Sequence, residues 1–217
     1  MMRLAIYGTG GLGNDVFILS QYINKEKNTW NDVFFIDDFD FNRQFKGAEV
    51  RSFKDILEDK EGISVVIAVG EPVARAALFQ KVQAHGLPIV TLIHPKASIP
   101  DCAKIGNGVV LCEHVTVYGD VVIEDNAYIQ PFAMLSHNCK IGHSAVLSLH
   151  AVLGGRCVVG DQAYVGMGAL VKEELNIGDN SVVGMGSIVL QDIPEGVVAV
   201  GSPARVIRKS GEKKIFR

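Results

Sequence analysis

The sequence predicts a small, Rossmann-like α/β unit with a parallel sheet over residues 1–92, followed by a parallel β-helix over residues 93–217 that closes in a C-terminal tail. Two observations carry this. In the first part, short apolar runs alternate with segments of helical period, the pattern of strands crossing over to parallel neighbours. From Ile93 onward, every sixth residue is Ile, Leu or Val. A period of six is neither the 3.6 of a helix nor the 2 of a single strand. It fits short strands joined by tight corners, each turning one aliphatic side chain inward.

The elements follow in order. The run "RLAIY" is a strand and "GTGGLG" punctuates it. In "NDVFILSQYINKE", Val16, Leu19, Ser20 and Ile23 share a helical face, with Asn14 or Asp15 as the predicted N-cap. "VFFID" is a second strand, "SFKDILED" a short helix and "ISVVIAVG" a buried strand. "PVARAALFQKVQAHG" is a helix with Pro72 at its start and Gly86 at its end, and "LPIVTLI" closes the sheet pattern.

The ladder then runs through Ile93, Ile99, Ile105, Leu111, Val117, Ile123 and Ile129, continues from Leu135 to Val183 without a break, and ends at Val189. At 48% hydrophobic content such a run arises by chance with a probability on the order of one in 10^5 or less, so the repeat is real. The position two before each aliphatic is mostly small, Cys139 and Cys157 included. The position just after is often glycine. Three hexapeptides make one triangular coil, and coils stacked at the strand spacing of about 4.8 Å give a filled prism roughly 25 Å long.

Bulk properties exclude several classes. The chain has 217 residues, 21% of them charged, and a net charge of −3. It has no basic excess to neutralise a nucleic-acid backbone. No apolar run reaches the length of a membrane span, and no leader pattern opens the chain, so a cytoplasmic protein acting neither on nucleic acid nor on a membrane is expected. Its four cysteines form no CxxC pair, and no disulfide is expected.

The motifs now point to a family. The hexapeptides ending in "VAVGSPARVIRK", with the N-terminal "IYGTGGLGNDV", "FIDD", "IAVGEPVAR" and the junction "LIHPKASI", resemble the left-handed β-helix sugar O-/N-acyltransferases. Within that family they resemble the group of sialic acid O-acetyltransferases and nucleotide 4-amino-sugar N-acetyltransferases. The resemblance spans nearly the whole chain. It implies a homotrimer, acetyl-CoA as co-substrate in the groove between neighbouring prisms, no metal, and a nucleotide-linked sugar (UDP-, dTDP- or GDP-) held by the N-terminal unit. It further implies a role in bacterial surface-glycan synthesis. Whether a sugar amine or a hydroxyl is acetylated stays open, with the amine favoured. A trimeric scaffold without catalysis is the remote alternative.

Candidate residues fall into three groups. In "SHNCKIG", His137 matches the general-base histidine of the family's HxCxIG pattern. An imidazole, with an ordinary pKa near 6.5, suits removal of a proton from an attacking nucleophile. One coil on stands Gly155, which leaves room for a thioester and whose N–H is the expected oxyanion donor. Asn138 stands where members commonly carry Glu or Asp, so a charged partner for the base is missing there. For the substrate, Gly8, Gly10, Gly11 and Gly13 match a phosphate-binding turn, although Leu12 replaces a frequent histidine. Asp37, Asp38, Gly70, Arg75 and Gln130 complete that set. An NAD(H) site is disfavoured, because this unit supplies only one mononucleotide half. For acetyl-CoA, the resemblance points to Met167, Gly168, Met185 and Gly155 along the groove, and to Arg205, Arg208 and Lys209 for the phosphates.

Two other histidine patterns are weighed. His143 lies one hexapeptide past His137, on another edge, and is expected to be a surface residue. His114 and His150 have the 36-residue spacing of zinc-binding prisms, but the third ligand position holds Gly155, so no metal is expected.

Overall fold

The computed structural model describes residues 2–212 and Ile215. Its first part is a five-stranded sheet. The strands are β1 (Arg3–Tyr7), β2 (Asp32–Ile36), β3 (Arg43–Phe45), β4 (Ala48–Arg51) and β5 (Ile63–Ile67), with helices α1 (Gly11–Lys27), α2 (Phe53–Glu58) and α3 (Pro72–Ala84). The spatial order is β3-β4-β2-β1-β5, parallel except for the β3–β4 hairpin. β1 is an interior strand, and Leu4–Tyr7 are buried because both its faces are covered. The chain leaves β1 for β2 on one side and reaches β5 on the other, so a crevice opens at the carboxyl ends of these strands.

Local chemistry explains most boundaries. Val16, Leu19, Ser20 and Ile23 are buried on α1 as the helical period requires. The helix starts earlier than Asn14 or Asp15, however. Gly10 is its N-cap, with no side-chain bond, and Asn14 N–H already donates to the Gly10 carbonyl. Ser52 caps α2 in a reciprocal capping box with Asp55. Pro72 opens α3, and Gly86 just past its end takes φ +70°. The β3–β4 hairpin was not visible in sequence; its turn, Lys46–Gly47, has φ of 53° and 81°. The segment "LPIVTLI" does not form a full sheet strand. Ile89 makes one bridge to Val65, and Leu92–Ile93 is already the first rung of the prism.

The second part comprises β6 (Leu92–Ile93) through β21 (Ile188–Val189), each two residues long, then β22 (Val197–Gly201) and β23 (Ala204–Lys209). The two-residue strands stack in three parallel sheets, each residue pairing with the one a full coil on, as Ile123 does with Ile141 and Leu135 with Leu153. β22 and β23 form an antiparallel pair that extends one of these sheets. From Leu111 to Val189 the aliphatic ladder is buried, and so are the small residues beside it, Cys139 and Cys157 among them. Ile93 departs from the expected pattern. It is 38% exposed because it stands on the terminal coil, with only Leu111 stacked on one side; Ile99 and Ile105 are partly buried for the same reason.

The corners have a second periodicity that composition does not reveal. Every sixth residue from His114 to Gly186 sits at positive φ, and it includes Phe132, Arg156, Gln162 and Glu174 as well as Asn, Asp and Gly. Left-handed backbone is uncommon for such residues. Continuous rungs on either side hold them there. The glycines after the aliphatics have another task. A β-carbon on Gly142 would lie 2.6 Å from Asp161 N, so its absence lets consecutive coils approach.

Candidate functional site

Two structural features gather the predicted residues, and they lie on different edges of the prism. The first is a cavity of about 900 Å³ between the carboxyl ends of β1, β2 and β5 and one edge of the prism. The β1–α1 turn forms one wall. Gly8 takes φ +126°, and a β-carbon there would lie 2.7 Å from the Ala68 carbonyl. Gly10 and Gly11 face open space, and the first amides of α1 have neither a side-chain cap nor an acidic residue in the first turn. Free amides at a helix start are the chemistry that suits an anion. Gly13 does not line the cavity. It is buried, and a β-carbon there would collide with the Gly8 carbonyl, so its role is close packing of α1 on the turn.

Asp37, Asp38 and Gly70 also line the cavity, but the two carboxylates are largely engaged. Asp38 Oδ2 accepts from Tyr7 Oη and from Lys81 Nζ (2.6 Å), and its Oδ1 accepts from Phe53 N (3.1 Å). Asp37 Oδ2 accepts from the Thr9 hydroxyl, and its Oδ1 from the amides of Phe39 and Asp40 at 2.9 and 3.1 Å. Burial alone would raise both carboxyls. Hydrogen bonds outweigh it and hold both below the usual carboxylate range, with the Lys81 and Arg43 charges adding to the effect. Burial acts on the Tyr7 hydroxyl too, raising its pKa together with its bond to Asp38. Asp15, also in the cavity wall, has its carboxyl pushed up by burial.

From the prism, Tyr128, Gln130 and Leu149 close the cavity. Gln130 Oε1 accepts from Ser148 Oγ (2.8 Å) and Leu149 N (3.2 Å), which fixes its side chain. Arg75, expected at the substrate, does not reach the cavity. It is fully buried behind Tyr128, whose ring lies 5.5 Å from its guanidinium. Its donors go to the carbonyls of Asn126 (2.6 Å) and Ile67 (2.7 Å). The correction has a physical cause. α3 packs against the prism, so a side chain on this face ties β5 to the coil below it, and burial lowers the pKa of its guanidinium to about 10.

The second feature is the His137 edge. A β-carbon on Gly155 would lie 2.6 Å from His137 Nε2, so the imidazole rests on the glycine one coil on. His137 Nδ1 meets Asn138 Oδ1 at 2.9 Å. The amide oxygen can only accept, so Nδ1 carries the proton and Nε2 keeps its lone pair. Asn138 holds φ +60°, a conformation Asn tolerates, which turns its side chain back to the ring. The Gly155 N–H has no partner among the described residues.

The remaining expectations are placed as follows. Met167 and Met185 are exposed and lie one and two coils past Leu149 on the cavity edge; Gly168 and Gly186 beside them take φ +66° and face open space. Arg205 and Lys209 are exposed on β23 and Arg208 is half-buried, apart from both features. His143 is not simply a surface residue: its ring packs 5.1 Å from that of Phe79 on α3. His114 and His150 are separated by the Phe132 ring, stacked 4.9 and 5.0 Å from them, so the zinc-like spacing encloses an aromatic. Among the described residues no His, Cys, Asp and Glu cluster could hold a metal, and no helix is long and apolar enough to cross a membrane. Sequence reasoning missed Thr9, Tyr7, Lys81, Phe39 and Tyr128. The ends of β1 and β2 could have suggested Tyr7, Thr9 and Phe39; Lys81 on α3 meets Asp38, and Tyr128 on the prism meets the cavity, only through the fold.

The fold is a left-handed parallel β-helix preceded by a small α/β unit with a mostly parallel sheet. Residues 3–82 match the PglD N-terminal domain family. The GDP-perosamine N-acetyltransferase of Escherichia coli O157:H7 is 29% identical over 146 residues, a match covering 65% of this chain and 65% of that protein. The acetyltransferase domain of PglB from Neisseria gonorrhoeae FA1090 superposes with a TM-score of 0.89 at 27% identity, over 95% of this chain and all of the other. PerB from Caulobacter crescentus, solved with CoA and GDP-perosamine, superposes with a TM-score of 0.87 at 28% identity, over 95% and 98% of the two chains. Residues 3–82 thus match one domain family, and the chain as a whole is similar in fold and sequence to these acetyltransferase structures over 95% of its length.

Proposed function

We propose that this protein is an acetyl-CoA-dependent N-acetyltransferase acting on the amino group of a nucleotide-linked 4-amino sugar, in the cytoplasm, for surface-glycan synthesis. The observation that carries the mechanism is the His137–Gly155 juxtaposition. The sugar amine attacks the thioester carbonyl as His137 Nε2 takes its proton. The Gly155 N–H stabilises the oxyanion of the tetrahedral adduct. The C–S bond then breaks, the C–N bond remains, and the proton passes from His137 to sulfur, releasing CoA as thiol. Asn138 keeps Nε2 free by holding the Nδ1 proton.

The nucleotide diphosphate lies at the α1 start, at Gly8, Gly10 and Gly11, with Asp37, Asp38, Gly70 and Gln130 around it. The similarity to the GDP-perosamine N-acetyltransferase of Escherichia coli O157:H7 and the CoA and GDP-perosamine bound to PerB support this reading. Acetyl-CoA lies between two prisms, past Gly155 on the His137 edge of one copy and Met167, Gly168 and Met185 on the cavity edge of the next, with Arg205 and Arg208 for its phosphates. Because His137 and the cavity occupy different edges of one chain, a homotrimer in which one subunit's His137 meets its neighbour's bound sugar completes the site.

Thiol release from acetyl-CoA, measured with UDP-, dTDP- and GDP-linked 4-amino sugars, tests the proposal. Wild type is expected to turn over at least one of them, and His137→Ala to lose about 10²- to 10⁴-fold. Full turnover by the variant on the best substrate would overturn the base assignment. Turnover of none would overturn the activity.

A further inference from the structure

We propose that Phe39 is the stacking platform for the nucleobase of the bound nucleotide; this rests on the reading of the cavity as a nucleotide site. Phe39 is 98% exposed, the most exposed large apolar side chain among the described residues, yet it lines the cavity. Its ring stacks on no other ring among the described residues. An aromatic face left to water at the mouth of a ligand cavity gains most when a flat partner covers it.

The loop carrying it is held in place. Asp37 Oδ1 accepts the amides of both Phe39 and Asp40, and Arg43 spans the loop by pairing with Asp40 at 2.7 Å and donating to Thr9 Oγ1 at 3.2 Å. A platform fixed before binding loses little entropy when it is used. Its position is also consistent. With the diphosphate at the α1 start, the β2 loop flanks one end of the nucleotide, while Tyr128 and Gln130 of the prism flank the other, where the sugar would lie. In the wall of the same cavity, Asp37 Oδ2 takes only the Thr9 hydroxyl and Asp38 Oδ1 only the Phe53 amide among the described residues. Each oxygen keeps a lone pair for a donor. These acceptors suit a base carrying a ring N–H, as uracil, thymine and guanine do.

Calorimetric titration of the intact protein with UDP, dTDP, GDP and inorganic pyrophosphate tests this without requiring acetyl transfer. Phe39→Ala is expected to weaken the tightest-binding nucleoside diphosphate about 5- to 100-fold and to leave pyrophosphate affinity unchanged. Phe39→Trp is expected to retain affinity, and its indole fluorescence to be quenched on binding; the single native tryptophan, Trp30, is buried away from the site. Equal nucleotide affinity in wild type and Phe39→Ala would overturn the platform and leave the nucleotide site standing. The same equality with an altered sedimentation coefficient would overturn it in favour of a contact between copies of the chain. A wild type that binds no nucleotide would overturn the cavity reading itself.

Discussion

The imidazole of His137 rests on Gly155, one coil along the prism, where a β-carbon would stand 2.6 Å from Nε2. Gly155 is not at positive φ, so alanine is compatible with its backbone. The clash falls on an exposed ring that can swing aside. Gly155→Ala is therefore expected to change stability by less than about 0.5 kcal/mol while lowering kcat/KM about 10- to 100-fold, because the base is displaced by roughly an ångström. Thermal melts and thiol-release kinetics on the same preparation check both halves. Wild-type turnover in the variant would remove Gly155 from the site.

Asn138 accepts the Nδ1 proton of His137 but brings no charge to it. Asn138→Asp keeps the acceptor and tolerates the same left-handed backbone. Asn138→Asp is thus expected to keep His137 oriented and to retain activity, whereas Asn138→Ala, which leaves Nδ1–H without that acceptor, is expected to lower kcat about 10-fold or more. Thiol-release kinetics check both; wild-type turnover in Asn138→Ala would show that His137 is oriented by something else.

The aliphatic ladder separates fully packed coils from the terminal one. Ile141 is completely buried between Ile123 and Val159, whereas Ile93 has a single stacked neighbour and is 38% exposed. Ile141→Ala is expected to destabilise by about 2–5 kcal/mol and Ile93→Ala by less than about 1 kcal/mol. Urea denaturation of the two variants checks the ratio; equal losses would mean that Ile93 is covered in solution.

The same pair shows what the sequence could and could not disclose. A period of six is a property of the chain, so the ladder, its small neighbours and the juxtaposition of His137 with Gly155 followed from counting. Which coil is terminal depends on what packs above it, so Ile93 read like the rest. The corners at Phe132, Arg156 and Glu174 were invisible because their backbone is imposed by rungs on either side. In the α/β unit, apolar runs marked the strands, but the β3–β4 hairpin is short and half-exposed. Arg75 looked like a ligand contact because "VGEPVAR" resembles a substrate-domain stretch of the related acyltransferases. Only the docking of α3 on the prism shows that it is enclosed.

Arg75 joins the two parts of the molecule through buried bonds to Asn126 O and Ile67 O, while Asn126 Nδ2 returns a bond to Arg75 O at 3.1 Å. Removing the guanidinium leaves those buried carbonyls short of a donor. Arg75→Met is expected to cost about 2–3 kcal/mol. It is also expected to raise KM for the nucleotide sugar more than it lowers kcat, since Tyr128 and the end of β5 both border the cavity. Chemical denaturation together with substrate titration distinguishes this from direct ligand contact, which would weaken nucleotide binding at unchanged stability.

His94, at the junction of the two parts, supplies a pH dependence whose sign can be worked out. It is buried against the Tyr22 ring of α1, with rings 5.1 Å apart, and its Nδ1 accepts Lys96 N at 3.0 Å, so Nε2 carries the proton and finds no partner among the described residues. Burial is the main cause that lowers its pKa. Lys96 and His114 add to this, and Glu113 and Glu26 oppose it. The folded chain therefore takes up this proton at lower pH than the unfolded chain, whose histidine titrates near its ordinary value of about 6.5. Stability is fully present above that value and falls as pH drops through it towards the lower folded pKa. His94→Asn keeps an acceptor for Lys96 N–H and removes the titration. Between pH 7.5 and 5, above the range in which Asp37 and Asp38 titrate, the melting temperature of the variant is expected to fall less than that of wild type. Parallel slopes in the two proteins would assign the acid sensitivity to another group.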